Sequence, residues 1–389
     1  MRDFVFENST KVFFGQGCVE RYLGALLKEY GETVLLVYGG GSIKGNGIYD
    51  QVMSIQASAG KRVVEFSGVM PNPTYAKVLE GVDLARRERV SLVLAVGGGS
   101  VMDCGKAIAL AVPYDGDVWE GFWAKKGEVR HQPLPLGVIV TMCGTGSECN
   151  GGAVVTNEAV KIKTDRDYPQ CNPRFALMDP TYTLSVPRNQ MLYGGFDALS
   201  HIMETYFSGP DEENVSDDIA EALMRGVIRD LRAAAHDPLD YNARSNLMWE
   251  STMAENRIIK LNKRTDFMAH MMEHQLGAYT DCSHGAGLAV IHPVYYRRIC
   301  QKGAVKFARF AVRVWGIPQE GRGQEELALA GVEALAGFIR ELGLPTTLRE
   351  LGVTGDTQLE EIANSVPLTS GGYGNLTHED VLEIFRGCY

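Results

Sequence analysis

The 389-residue sequence predicts an α/β domain over residues 1–186 followed by an all-α domain over residues 187–389. Three observations carry this. Short apolar runs ending in glycine recur through the first half, helix-period patterns lie between them, and strand signals all but vanish beyond Pro187.

The first run is Val34-Leu35-Leu36-Val37-Tyr38, ending in Gly39-Gly40-Gly41. The second is Ser91-Leu92-Val93-Leu94-Ala95-Val96, ending in Gly97-Gly98-Gly99. The third, Leu136-Gly137-Val138-Ile139-Val140, runs into a stretch rich in Thr, Gly and Ser. Unbroken apolar runs of this length suit parallel strands covered on both faces. Between them, Ala76 to Arg89 carries Val78, Leu79, Val82 and Ala85 at helical spacing, so strand and helix alternate as in an open α/β sheet. Pro187 suits a first helical turn. After it, helix follows helix, with breaks at Gly209-Pro210, Asp237-Pro238, Gly316-Ile317-Pro318 and Gly343-Leu344-Pro345.

A net charge of −10 argues against a nucleic-acid partner, which needs a basic face. No apolar run approaches the length of about 20 residues that a membrane helix requires. The opening MRDFVFENSTKVFFGQG places acids and polar residues where a secretory leader is apolar. These features point to a cytoplasmic protein with no membrane partner. The eight cysteines, at 18, 104, 143, 149, 171, 282, 300 and 388, form no C-x-x-C pair and read as reduced thiols.

Gly97-Gly98-Gly99-Ser100-Val101-Met102-Asp103 closes a strand and opens a helix. Glycines let backbone N–H groups approach a pyrophosphate, and a helix N-terminus favours its charge. The segment departs from G-x-G-x-x-G, and a plain tight turn is the alternative. In Gly39-Gly40-Gly41-Ser42-Ile43-Lys44, no acid stands where one would hold the ribose 2′-hydroxyl of NAD. Ser42 and Lys44 there suit a 2′-phosphate, hence NADP. Thr141-Met142-Cys143-Gly144-Thr145-Gly146-Ser147-Glu148 offers hydroxyls to a phosphate or ribose. Each of these last two segments reads equally well as a ligand-free loop.

In the helical half, Asp197 and His201 stand four residues apart, so they share a helix face, and His270 and His274 repeat the spacing. His284 follows in Asp281-Cys282-Ser283-His284-Gly285. Asp with His suits Zn²⁺ or Fe²⁺. Each pair alone is weak. However, four of the eight histidines fall in segments rich in Ala, Met, Leu and Gly, and buried histidines beside an acid need a reason. His131, His236, His292 and His378 read as solvated or merely packed residues of loops and flanks. Trp119, Trp123, Trp249 and Trp315 read as core or pocket wall, and Lys260, Lys263 and Arg264 as a solvated helix face.

Together with Thr10-Lys11-Val12-Phe13-Phe14-Gly15, Pro71-Asn72-Pro73, Asp103-Cys104-Gly105-Lys106, Asp179-Pro180 and Gly287-Leu288-Ala289, these segments resemble the iron-containing (group III) alcohol dehydrogenases in order and spacing. The resemblance runs over nearly the whole chain. The glycine triplet with Ser42 and Lys44 is similar to the NADPH-dependent aldehyde reductase and butanol dehydrogenase branch. The resemblance implies a dehydroquinate synthase-like two-domain fold, with a dinucleotide-binding domain first. It implies a metal-dependent aldehyde reductase working in the cleft between the domains, with NADP(H) preferred over NAD(H), a small or medium aldehyde or its alcohol as substrate, and a homodimer.

The same resemblance implies Asp197, His201, His270 and His284 as ligands of one divalent ion, Fe²⁺ or Zn²⁺, with His274 beside the nicotinamide as proton relay. Gly98, Gly99, Ser100 and Asp103 would hold the pyrophosphate and nicotinamide ribose. Asn72, Thr141, Thr145, Lys163 and Leu184 would complete the cofactor site, Gly40 and Ser42 would meet the 2′-phosphate, and Asn150 would lie near the substrate. Cys143 departs from the family's usual small residue. Arg166-Asp167-Tyr168-Pro169 looks inserted, which leaves Lys161 as an alternative to Lys163. A dehydroquinate synthase-like lyase and a glycerol dehydrogenase-like polyol oxidoreductase share the plan. Gly144-Thr145-Gly146-Ser147-Glu148 and His284-Gly285-Ala286-Gly287-Leu288-Ala289 speak against the lyase. A nucleotide-binding scaffold without activity would have a spoiled metal site.

Overall fold

The computed structural model describes residues 3–211, 213–353 and 355–389. The chain forms two compact units, Glu7–Pro187 and Arg188–Tyr389, with the described residues 3–6 grouping with the second.

The first unit runs β1 (Lys11–Phe14), α1 (Cys18–Leu27), β2 (Thr33–Tyr38), α2 (Ser42–Gly45), α3 (Ile48–Ser58), β3 (Arg62–Phe66), α4 (Tyr75–Arg87), β4 (Leu92–Gly97), α5 (Gly99–Ala111), β5 (Leu136–Val140), β6 (Gly152–Asn157), β7 (Ile162–Asp167) and β8 (Phe175–Met178). Six strands form one sheet in the order β1-β8-β5-β4-β2-β3, every neighbouring pair parallel. β6 and β7 form a separate antiparallel hairpin. The three apolar runs are the central strands β2, β4 and β5, each buried along nearly its whole length. Periodicity alone does not reveal β3 (RVVEF) or β7 (IKTDRD), because charges interrupt them. β3 is a sheet edge, where charge is tolerated and blunts pairing with other chains.

Register decides what the sheet presents. Tyr38 pairs with Val96, and Gly97 with Val140, so the carboxyl ends of β2, β4 and β5 lie side by side. β3 lies on one side of β2 and β4 on the other. The winding therefore reverses at β2, and such a reversal opens a crevice at the strands' carboxyl ends where ligands bind.

The second unit is helical among its described residues: α6 (Arg188–Tyr206), α7 (Val215–His236), α8 (Tyr241–Glu255), α9 (Met268–Thr280), α10 (His284–Ile299), α11 (Ala304–Arg313), α12 (Gln324–Leu342), α13 (Asp356–Ser365) and α14 (His378–Gly387). Local chemistry sets many ends. Asn214 caps α7, Asp240 caps α8, and Thr377 with Asp380 forms a capping box on α14. α12 stops at Gly343, whose φ of +70° needs a glycine.

Several side chains lie elsewhere than expected. Lys260, Lys263 and Arg264 form no helix face. Lys260 ends a 3₁₀ turn and pairs with Glu255 at 2.6 Å, whereas Arg264 is exposed in an irregular segment. The Lys263 side chain is buried and lies 2.5 Å from Asp217, which also pairs with buried Lys306. A buried carboxylate drew both lysines inward. Trp249 is 41% exposed on α8, not core, whereas Trp119 and Trp123 are buried and Trp315 packs on Phe310 and Phe338. His292 lies fully buried within α10 and pairs with Ser200 Oγ at 2.6 Å. All eight cysteines are buried, and none is in a disulfide. No described helix is long and apolar enough to cross a membrane.

Asp217→Ala leaves two buried ammonium groups without their carboxylate. Chemical denaturation should show a loss of about 3–5 kcal/mol, and a loss under about 1 kcal/mol would mean that the lysines reach water.

Candidate functional site

α6 turns Asp197 and His201, one turn apart, into the second unit's interior. α9 brings His270 and His274 in its first two turns. α10 begins at His284 itself, after Ser283 as N-cap. The approach of α10 depends on Gly285, where a Cβ would collide with the backbone oxygen of Tyr193. Tyr193 lies one turn before Asp197, so glycine lets the start of α10 press against α6 at the height of the acid.

The result is a convergence on one oxygen. Asp197 Oδ1 lies 3.6 Å from His201 Nδ1, 3.6 Å from His270 Nε2 and 3.5 Å from His284 Nε2. The donor atoms of Asp197, His201 and His270 all lie within 4.8 Å of one another. Asp197 Oδ1, His201 Nδ1 and His270 Nε2 are buried without a hydrogen-bond partner. Polar atoms left in that state are expensive unless something else engages them. One carboxylate oxygen with three imidazole nitrogens within 3.6 Å of it fits a divalent ion such as Fe²⁺ or Zn²⁺, Asp197, His201 and His270 forming the mutual group and His284 reaching it through Asp197.

The electrostatics agree at Asp197 and His201. Burial alone would raise the Asp197 pKa, but His201, His284 and His270 outweigh it and hold the carboxyl below its usual range. Burial pushes His201 down to about 4, so its ring is neutral, as a ligand must be. For His270, burial lowers the pKa, and the carboxylates of Glu204 and Asp197 more than reverse this, to about 10.

Glu204 and Glu273 are absent from the sequence-derived set. Glu204 Oε2 bonds His270 Nδ1, and Glu273 Oε2 bonds His284 Nδ1. Their positions held a signal. Glu204 continues the Asp197–His201 stripe of α6, and Glu273 lies one turn after His270. His274 is buried, its ring centroid 5.5 Å from that of His284 and 6.1 Å from that of His270. Its donor atom groups with those of Glu273 and His284.

In the first unit, Gly98 is the N-cap of α5 and Gly99 its first residue. A Cβ on Gly99 would collide with the Thr145 side chain, so glycine lets the loop after β5 close on the helix start. Thr141 N–H bonds Gly97 O at 3.0 Å. Gly98, Gly99, Ser100, Thr141 and Thr145 thus gather, part-exposed, around one helix N-terminus, where backbone N–H groups and the helix dipole favour a phosphate.

Asp103 and Asn150 face the other way, into a buried brace. Asp103 Oδ1 accepts from Ser147 Oγ at 2.7 Å, and Oδ2 from Val154 N–H at 3.0 Å. Lys106 Nζ donates to Ser147 Oγ at 2.8 Å, to Asn150 Oδ1 at 3.0 Å and to Gly152 O at 2.7 Å. Asn150 Nδ2 donates to Gly146 O at 3.1 Å. These side chains tie the loop to α5 behind the glycine turn, and Lys106, quoted above only as part of a family segment, is a central member of the brace.

Gly40 and Ser42 are exposed just past β2. Lys44 Nζ sits 4.5 Å over the Tyr49 ring and 3.8 Å from the Glu65 carboxylate. The turn of Leu184 joins this region through Asn46 Nδ2, which donates to Ser185 Oγ at 3.0 Å. Asn72, in a left-handed turn at φ +55°, precedes Pro73, whose oxygen accepts from Thr156 N–H at 2.9 Å. Thr156 pairs across the hairpin with Lys163, which is buried, whereas Lys161 is exposed at the hairpin tip. The Arg166–Tyr168 stretch finishes β7 and packs there, with Tyr168 Oη donating to Phe122 O at 3.0 Å.

Two family models match the chain. Residues 9–180 match the model described as "Iron-containing alcohol dehydrogenase", and residues 191–389 match "Fe-containing alcohol dehydrogenase family, C-terminal". The chain belongs to the iron-containing alcohol dehydrogenase family. It is 41% identical over 394 residues to the NADH-dependent butanol dehydrogenase A of Clostridium acetobutylicum, covering all of both chains. It is 34% identical over 362 residues to the NADPH-dependent aldehyde reductase of Escherichia coli, covering 92% of this chain and 91% of that one. A crystal structure of an NADH-dependent butanol dehydrogenase A from Thermotoga maritima matches with a TM-score of 0.93 at 38% identity, covering 100% of this chain and 99% of that one. As a member of this family, the chain is an oxidoreductase, a metal-dependent alcohol dehydrogenase using a nicotinamide cofactor, and the lyase reading is set aside.

Gly285→Ala should push α10 off α6 and move His284. Steady-state assays should show turnover falling about 100-fold with helical circular dichroism retained. Unchanged turnover would mean the clash is absorbed elsewhere.

Proposed function

We propose that the chain reduces small and medium aldehydes to alcohols and prefers NADPH to NADH. The observation that carries the reduction is the convergence of three imidazoles on the buried Asp197 carboxylate. Asp197, His201, His270 and His284 are the ligands in this reading. When bound, the metal supplies Lewis-acid polarisation of the aldehyde oxygen and the nicotinamide supplies hydride. The protein's own part is charge, position and proton. Asp197 would offset part of the dication's charge, and the three helices hold the imidazole nitrogens around its carboxylate. His274 holds the proton destined for the product oxygen, which suits a side chain whose ordinary pKa is near neutrality.

On the cofactor side, Gly98, Gly99 and Ser100 with Thr141 and Thr145 take the pyrophosphate and nearby ribose, and Lys163, Asn72 and Leu184 line the remainder. Asp103 and Asn150 act from behind, by holding the loop to α5. The preference for NADPH rests on the end of β2, where Gly39, Gly40 and Gly41 leave no carboxylate to repel a 2′-phosphate. Ser42 offers a hydroxyl and Lys44 a cation. NADH use is the second reading. Glu65 draws off part of the Lys44 charge, and the Clostridium acetobutylicum relative is named for NADH.

The first assay follows oxidation of NADPH and of NADH with butanal, before chelation, after chelation, and after return of Fe²⁺ or Zn²⁺. Chelator-sensitive, metal-restored turnover is expected, with NADPH favoured, and Lys44→Ala should raise the KM for NADPH roughly 10-fold while sparing NADH. Equal KM changes for both would remove Lys44 from 2′-phosphate recognition, and no turnover with any metal would break the reductase reading. Asp197→Ala should lose metal and activity together, whereas His274→Ala should lower turnover more than metal content. Parallel loss of both in His274→Ala would sink the relay assignment.

A further inference from the structure

We propose that Glu204 and Glu273 are positioning residues that set the tautomers of His270 and His284, and so decide which ring nitrogen each histidine turns toward the metal. This rests on reading Asp197, His201, His270 and His284 as ligands of one ion.

Asp197, His201 and Glu204 occupy the first, fifth and eighth positions of one stripe on α6, a spacing that keeps all three on a single face. Glu204 Oε1 accepts from Ala269 N–H at 2.7 Å. Its Oε2 accepts from the backbone N–H of His270 at 3.2 Å and bonds the Nδ1 of the same residue. Those two backbone groups belong to the first turn of α9, where N–H groups have no partner within the helix. Phe267, the N-cap of α9, supplies no side-chain cap. Glu204 therefore caps α9 from α6 and orients the His270 ring through the same carboxylate.

Glu273 repeats the device one helix later. From the middle of α9 its Oε2 bonds His284 Nδ1, while Cys282 Sγ approaches its Oε1 at 3.9 Å. Gly287 makes room, since a Cβ there would stand 2.9 Å from Glu273 Cγ. The α6 carboxylate thus holds the α9 ring, and the α9 carboxylate holds the α10 ring.

Consequences for the ring nitrogens follow from donor counting. An ionised carboxylate only accepts hydrogen bonds, so each ring keeps a proton on Nδ1, and Nε2 is the nitrogen left to give a lone pair to an ion. Those Nε2 atoms lie 3.6 Å and 3.5 Å from Asp197 Oδ1, at the point of convergence. A carboxylate behind a ligand histidine fixes its tautomer and ring orientation, and its loss typically costs 10- to 100-fold in metal affinity.

Glu273→Gln tests this on the full-length protein. A glutamine whose carbonyl stays toward Cys282 Sγ turns its amide nitrogen to Nδ1, donates there and moves the ring proton to Nε2, where the ion must bind. Chelator competition should show the Zn²⁺ dissociation constant rising about 10- to 100-fold. In the metal-free protein, ¹⁵N NMR should show His284 passing to the Nε2–H tautomer, a change that loosened packing alone would not produce. Glu204→Gln should weaken Zn²⁺ binding likewise, through His270. If that variant unfolds, Glu273→Gln decides, because Glu273 lies away from the α9 cap. Unchanged Zn²⁺ affinity, or weakened affinity with an unchanged tautomer, overturns the positioning role while leaving the ligand set standing. Wild-type protein that binds neither Zn²⁺ nor Fe²⁺ overturns both.

Discussion

The second unit is organised around one buried negative charge. Asp197 stands in a helical interior where a bare carboxylate would be costly to bury. Three imidazoles crowd the same oxygen, and they come from three different helices. Each helix is brought in by its own means. His201 rides on the helix of Asp197. His270 follows from capping of α9 by Glu204. His284 follows from a glycine that lets the start of α10 touch the backbone of α6. Each of these contacts is made by the chain's own atoms, so the packing of the helices gathers the donors.

The first unit answers a different constraint, the approach of backbone to an anion. Its parallel sheet places the ends of β2, β4 and β5 together at a reversal of winding. Two glycine triplets and a Thr/Gly loop occupy those ends. What holds them is a buried polar brace, in which the Lys106 ammonium meets Ser147, Asn150 and the Gly152 carbonyl, and Ser147 passes the chain on to Asp103. Burial raises the Asp103 pKa and lowers that of Lys106, each opposed by the other's charge. Such a network is stable only when every member is satisfied, and here its bonds tie the loop to α5.

Much of this was legible in residue order because its causes are local. An apolar run ending in glycine is a buried strand turning into a helix, and β2, β4 and β5 follow within a residue or two of that pattern. Four-residue spacing put Asp197 with His201 and His270 with His274 on single faces. The helix breaks at Asp237-Pro238 and Gly343 needed only proline's missing donor and glycine's positive φ. Where charge was recruited by distant charge, local pattern failed. Lys263 looked like a solvated residue and lies buried on Asp217. Asp103 and Asn150, which the family resemblance implies as cofactor and substrate contacts, hydrogen-bond within the brace.

The sequence by itself determined the alternation of strand and helix, the change of character near Pro187, the glycine turns and the residue types able to hold a metal, since each depends on neighbours within about two helical turns or one strand. Tertiary structure alone decided which nitrogen of each histidine faces Asp197, which glutamates stand behind those rings, and which lysines are sealed in. Those outcomes depend on contacts between residues far apart in the chain, such as Glu204 with His270 and Asp217 with Lys306. Burial strengthens such contacts and makes them selective, because a polar atom removed from water must find its partner wherever the fold puts one.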